Sequence, residues 1–260
     1  MVKKTKIHPS AVIASDAKIA EGAEIGPFCI IGKRVKIGKN TKLMSNIVIE
    51  ETEIGSNCEV YPFTSIGLQP QDIRYKGERT KVKIGNNNII REYITIHRAS
   101  VGGEKVTRIG NDNFLMAYVH IAHDCIIGNN VIMANATTLG GHAVVEDFAF
   151  IGGLVAIHQF TRIGTHSMIG GFSAIPQDIP PYTTAAGGRA KLYGLNTIGL
   201  KRKNFDESTI KDLKKAYKLL FRSKLTLKEA ISLLKHEVKQ SDEINYLIEF
   251  LEKNKRGICR

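Results

Sequence analysis

A period of six residues constrains this chain more than any other feature. Ile7, Ile13, Ile19, Ile25, Ile31, Ile37, Leu43 and Ile49 follow one another at six-residue intervals. After one five-residue step the rhythm continues at Ile54, Val60 and Ile66, returns at Ile84, Ile90 and Ile96, and runs unbroken from Ile109 to Ile175. Two residues before many of these anchors stands a small or β-branched side chain, among them Ala17, Ala23, Cys29, Val35, Val131, Thr137 and Ala143. Six fits neither the 3.6-residue turn of a helix nor the alternation of a single strand. It fits a short strand and a turn, repeated, with the aliphatic and the small residue both pointing inward. Three such units close a triangular coil, which makes the fold mainly β, a parallel β-helix. The 26 anchors at three per coil give between eight and nine coils. At about 4.8 Å per stacked strand the prism is roughly 40 Å long.

The phase of the repeat also sorts the cysteines. Cys29, Cys58 and Cys125 occupy the small inward slot and read as core fillers. With no CxxC pair, neither a disulfide nor a zinc framework is expected.

Two stretches break the rhythm: 68–83 (LQPQDIRYKGERTKVK) and 98–108 (RASVGGEKVTR). Inserts in a solenoid leave it as surface loops, and such loops often line binding sites. After Ile175 the pattern stops at Pro176, Pro180 and Pro181, followed by Gly187 and Gly188. The chain thus divides into a coil domain, 1–187, and a helical domain, 188–260. Asp206, Thr226 and Ser241 are placed to cap three helices, Thr226 with Glu229 as a capping box. Lys211, Lys214, Lys215 and Lys218 read as the solvated side of the first.

The net charge of +12 serves solubility or an acidic partner. No stretch of about eighteen apolar residues is present to span a membrane. The opening MVKKTKIHPS carries lysines without the apolar run of a secretory leader, so a cytoplasmic location is expected.

The chemistry concentrates in HIAHDC, 120–125. In a coil of about eighteen residues, positions eighteen apart stack on one face, as anchors Ile121, Leu139 and Ile157 do. His120, His123, His142 and His158 therefore gather on one strip, with Asp124 and Gln159, and His97 at the edge of the second insert joins them. His166 lies in another phase and is expected to be an ordinary surface residue. Two chemistries compete for the strip. A histidine oriented by a carboxylate serves as a general base; three histidines hold a catalytic zinc, as in hexapeptide carbonic anhydrases. Glutamine and glycine, rather than a third well-placed ligand, stand beside the His-x-x-His pair, which favours acid–base work. Cys125 points inward and is rejected as a nucleophile. A non-catalytic scaffold requires the strip to be decorative.

HIAHDC at 120–125, LGGH at 139–142, VAIHQF at 155–160, TIHR at 95–98, QDIPPY at 177–182 and GLNTIGLKR at 194–202 resemble the UDP-N-acetylglucosamine O-acyltransferases that open lipid A biosynthesis. The resemblance covers nearly the whole chain. It implies a homotrimer of left-handed β-helices with active sites between neighbouring subunits, and neither cofactor nor metal. It also implies transfer of an (R)-3-hydroxyacyl chain from acyl carrier protein to the sugar 3-hydroxyl, with no nucleic-acid partner and no stable membrane insertion. The carrier is acidic, which suits the basic surplus. By resemblance His123 is the general base, Asp124 its orienting group, and the Gly141 N–H the oxyanion donor. His120, His142, His158 and Gln159 match the substrate pocket. Gln71 and Asp72 match the loop pair on the sugar nucleotide, Asn196 a nucleotide contact, and Arg202 a donor contact. Gly171 matches the position that sets acyl-chain length, and its lack of a side chain favours a longer chain.

Departures from the family pattern are Arg74, where the best-known members carry a loop lysine, Lys203, and Ile198 in place of an acidic nucleotide contact. Some relatives with an apolar residue at that last position acylate a 3-amino sugar, so the acceptor stays open between hydroxyl and amine. The later N-acyltransferase of the pathway usually carries an extra N-terminal domain, whereas Ile7 starts the coil at once.

Overall fold

The computed structural model describes residues 4–254 and 256–260. Residues 1–3, where the leader reading begins, and residue 255 lie outside the described residues. Each anchor of the six-residue period sits in its own short strand, from Lys6–Ile7 to Ala174–Ile175. These strands stack in three faces, taken here in chain order. Among the described residues the first face has eleven strands, including Thr183–Ala186 and Lys191–Leu195 from beyond the repeat, the second nine, and the third eight. Stacked coil strands are parallel. Ile121, for instance, lies between Ile96 and Leu139. Among the described residues the architecture is a left-handed parallel β-helix followed by four helices.

Burial follows the period. Ile31, Ile66, Ile121 and Leu139 are buried, as are the small-slot residues Ala23, Cys29, Cys58 and Cys125. The Cys125 thiol donates to Gly140 O at 3.2 Å, and burial pushes its pKa up to about 12, so it is inert at neutral pH. The third residue after an anchor turns the corner with left-handed φ, as Asp124 (59°), His142 (59°) and Phe160 (62°) do. That conformation is uncommon outside glycine. Here it recurs from corner to corner, so the positive φ of Asp124 and His142 belongs to the coil and not to strain stored at a site.

Both inserts leave at the edge between the second and third faces, the same edge that carries Asp124, His142 and Phe160. They are shorter than the sequence implies. Strands Ser65–Leu68, Lys81–Ile84 and Val106–Ile109 take up the ends of 68–83 and 98–108. Lys81 to Ile84 pair in register with Val106 to Ile109, burying Val82 and Thr107 and turning Lys83 and Arg108 outward. Polar residues at alternate positions made strand look like loop.

After the last coil the chain forms an antiparallel hairpin, Thr183–Ala186 against Lys191–Leu195, which the sequence reading did not contain. Gly187 (φ 113°) turns it; Thr183–Ala186 pairs with the coil strand Met168–Ile169, and Lys191–Leu195 pairs with Thr183–Ala186, so the sheet continues past residue 187. Helices α1 (Thr197–Arg202), α2 (Glu207–Phe221), α3 (Leu227–Glu237) and α4 (Asp242–Glu252) follow, α1 being unforeseen. Asp206 caps α2, the Thr226–Glu229 box caps α3, and Ser241 caps α4. Leu213, Ala216, Leu220, Ala230, Leu234, Leu247 and Leu251 are buried together between the helices. Among the described residues no helix is long and apolar enough to cross a membrane.

Candidate active site

The site is built on the second-to-third-face edge. Strand His120–Ile121 ends there, and the corner that follows presents His123 and Asp124 outward while Ile121 and Cys125 face the core. His123 Nδ1 lies 2.8 Å from Asp124 Oδ2, which assigns the Nδ1 proton to that bond. Nε2 is then left unprotonated beside Gly141. A Cβ on Gly141 would lie 2.6 Å from His123 Cε1 and 2.7 Å from Nε2, so the imidazole rests on the glycine. Burial raises the Asp124 pKa, but the His123 hydrogen bond, the Ser100 N–H (2.9 Å) and the His142 charge outweigh it, holding the carboxyl below its ordinary value. Asp124 is ionised and positioned at neutral pH.

Burial lowers the pKa of His97, His120 and His142. His142 stands edge-on to His123 at 5.3 Å between ring centroids and stacks on Phe160 at 4.6 Å. His120 Nδ1 bonds Thr95 Oγ1 at 2.7 Å, and His97 Nδ1 bonds Gln69 O at 2.6 Å. His123, Asp124 and His142 each offer one ligand atom within 4.8 Å of the others, the spacing a metal ion would need. The grouping differs from the three-histidine set weighed from the sequence.

The two loops close on this corner. Asp72 takes a fork of two hydrogen bonds from Arg74, with the Ser100 hydroxyl at 2.7 Å, and these donors hold its carboxyl well below the usual carboxylate range. Arg98 is buried, donating to Gly67 O at 2.9 Å and to the Tyr75 hydroxyl at 3.1 Å, so the second loop is tied to the first. Gly103 covers the Asp124 carboxylate from above: a Cβ there would lie 3.2 Å from Oδ1. Gln71, His97, His120, His123, Gly141 and Gln159 line one cavity of about 370 Å³.

Other residues singled out from the sequence lie elsewhere. His158 is exposed, its Nδ1 2.9 Å from Arg256, and does not line the cavity. Asn196 caps α1 by accepting from Gly199 N and donates to His166 O, on the edge between the third and first faces. Arg202 is exposed at the end of α1. Gly171 turns the edge between the first and second faces. Ser100, Gly103, Phe160 and Arg98 are the residues sequence reasoning missed. Three of them sit in an insert where the period gives no phase.

His166 is not an ordinary surface residue. Its ring stacks between Phe148 (4.6 Å) and Tyr182 (6.0 Å) and meets Phe205 edge-on at 5.0 Å. The returning chain half-buries it, and that burial, then the charge of Lys203, lower its pKa from 6.5 to about 4. A depressed histidine pKa means that the unfolded chain binds the proton first, so folded stability falls as pH drops from 6.5 toward about 4. His166→Phe keeps the stack and removes the titration. Denaturant unfolding at a series of pH values is expected to give a flatter acid limb for this variant than for the wild type.

The comparisons with known proteins converge. A family model described as UDP N-acetylglucosamine O-acyltransferase, domain 2, matches residues 178–259, and a bacterial transferase hexapeptide model (six repeats) matches 107–141. The chain is 65% identical over 256 residues to an acyl-(acyl-carrier-protein)–UDP-N-acetylglucosamine O-acyltransferase of Thermodesulfovibrio yellowstonii, covering 98% of this chain and 99% of the relative. Its structure is similar to LpxA from Acinetobacter baumannii, with a TM-score of 0.96 at 46% identity over 98% of this chain and 99% of that one. It is similar also to the Arabidopsis UDP-N-acetylglucosamine acyltransferase, with a TM-score of 0.86 at 35% identity over 98% and 100%.

Proposed function

The chain belongs to the UDP-N-acetylglucosamine O-acyltransferase family, and from that premise we propose how its own residues carry out the reaction. It is an acyltransferase of lipid A biosynthesis that moves an acyl group from acyl carrier protein to UDP-N-acetylglucosamine. The acyl group is an (R)-3-hydroxyacyl chain and the acceptor is the sugar 3-hydroxyl. His123 Nε2 takes the proton of that hydroxyl as its oxygen attacks the thioester carbonyl. The tetrahedral intermediate places its oxyanion at the Gly141 N–H. Collapse breaks the carbon–sulfur bond, and the departing thiolate takes the proton from His123. Asp124 keeps Nδ1 protonated throughout and stabilises the imidazolium. The observation that carries this reading is the 2.8 Å bond from His123 Nδ1 to Asp124, which leaves Nε2 as the base at the cavity.

The working unit is a homotrimer. Asn196 and Arg202 on one edge of the prism, Gly171 on the second and the His123 corner on the third do not meet within one chain. Packed side by side, neighbouring chains bring different edges together, so that Asn196 and Arg202 of one reach the nucleotide and donor bound at the next. An exposed apolar stripe supports this. Phe63, Tyr93 and Tyr118 stack at 5.1 and 4.9 Å while 46% to 59% exposed, and Leu154 and Phe172 continue the same edge. Contiguous apolar surface of this kind marks association. Gly171, beside Phe172, leaves room for a long acyl chain.

Incubating the protein with acyl carrier protein thioesters of graded length and either UDP-N-acetylglucosamine or its 3-amino analogue tests the reading. The expected outcome is an ester, formed fastest with a long 3-hydroxyacyl chain, by a protein that sediments as a trimer. Amide formed in preference to ester would reassign the acceptor and single out Ile198, which is 68% exposed on α1.

A further inference from the structure

We propose that Ser100 is a positioning residue that locks the sugar-nucleotide loop to the catalytic pair, its hydroxyl holding Asp72 while its N–H holds Asp124. This rests on the reading above, in which Asp72 contacts the sugar nucleotide and Asp124 orients His123. Two ionised carboxylates approach one another here from different loops and coils. Like charges brought near one another repel, and donors between them help to hold both in place. Ser100 supplies one donor to each: Oγ to Asp72 Oδ2 at 2.7 Å and N to Asp124 Oδ2 at 2.9 Å. The residue is fully buried, and the side chains of Asp72 and Asp124 are 7% and 5% exposed. The bond to Asp124 is thus shielded from solvent, and that to Asp72 largely so.

A buried serine that merely fills space would tolerate any acceptor. This one donates to the carboxylate that also takes the Arg74 fork, and the same residue's backbone reaches the carboxylate behind the base. Arg98, two residues earlier, is itself bonded to Gly67 and Tyr75, so Ser100 stands on an anchored stretch of the second loop. The two bonds run through a side chain and a backbone group, which makes them separable. Alanine removes the hold on Asp72 and leaves the hold on Asp124.

The experiment is a double-mutant cycle read by calorimetric binding of UDP-N-acetylglucosamine to the full-length enzyme, alongside steady-state kinetics. Ser100→Ala is expected to weaken binding about tenfold, the scale of a lost hydrogen bond to a charged group. KM for acyl carrier protein thioester should stay unchanged, and kcat should fall less than about threefold because the His123–Asp124 bond persists. In an Asp72→Ala background the same substitution should add less than about twofold, since the partner is already gone. Ser100→Cys, which keeps the volume and offers a weak donor, carries the same expectation if the alanine variant does not fold. Unchanged sugar-nucleotide affinity, or losses that multiply in the double mutant, would overturn the proposal. The test is independent of the base assignment: if His123→Ala retained turnover that assignment would fall, while the binding cycle would still decide Ser100.

Discussion

Alanine in place of His123 is expected to lower kcat by about 10²–10⁴-fold, the contribution of a positioned general base. KM for UDP-N-acetylglucosamine should stay within about threefold, because Gln71 and Asp72, the loop residues proposed to meet the sugar nucleotide, are untouched. The fold should survive. His123 projects from a corner into the cavity, and the core beneath it is made by Ile121 and Cys125, both fully buried. What remains after the substitution is the proposed oxyanion donor, the Gly141 N–H, and the bound geometry, which are expected to keep a residual rate above water. Three readouts belong together: turnover, sugar-nucleotide affinity and oligomeric size. Near-normal turnover in an intact trimer would remove His123 from the mechanism and leave the histidine strip without its central role. Coincident loss of turnover and assembly would instead make His123 structural.

The fold was legible because its determinant is local and repeated. A period of six fixes which residues face inward at each step, and Ile121 and Cys125 read directly as core. The same phase exposed His120, His123 and Asp124 as outward. It failed where the chain leaves the period. Ser100 lies in an insert whose course depends on Arg98 finding Gly67 and Tyr75, contacts about thirty and twenty residues away in sequence. His166 was misread for a related reason. Its corner sits under a ladder completed by Tyr182, which follows the last coil and carries no repeat signal. His158 has the right phase but turns to Arg256, a residue from the far end of the chain. Periodicity assigns a side chain to a face; it does not say what returns to cover that face. Asn196 and Arg202 show the same limit on a larger scale, since their face is completed by a second copy in the trimeric reading.

Gly141→Ala is expected to lower kcat by about 10²-fold with little change in thermal stability, and Gly140→Ala to do the reverse. The difference lies in what a methyl group would strike. At Gly141 the three nearest atoms to an added Cβ all belong to the His123 ring, at 2.6, 2.7 and 3.2 Å. The backbone at 141 has no left-handed φ to forbid alanine, so the ring moves and the coil does not. Moving it loosens the 2.8 Å bond to Asp124 and withdraws Nε2 from the cavity, and misplacing a catalytic group by about 1 Å costs on the order of 10²-fold. At Gly140 the nearest atoms are Gln159 N at 2.7 Å and Gln159 Cα at 3.1 Å, backbone of the next coil. A methyl there separates stacked strands that the fold cannot spare. The Gly141 N–H survives its substitution, so any loss reports on the imidazole and not on the proposed oxyanion donor. Combining Gly141→Ala with His123→Ala gives the decisive comparison. With the ring already removed, the methyl has nothing to displace, and the double variant should turn over within about twofold of His123→Ala alone. A further large loss in the double variant would mean that Gly141 acts through its own backbone position, and the steric account would fail.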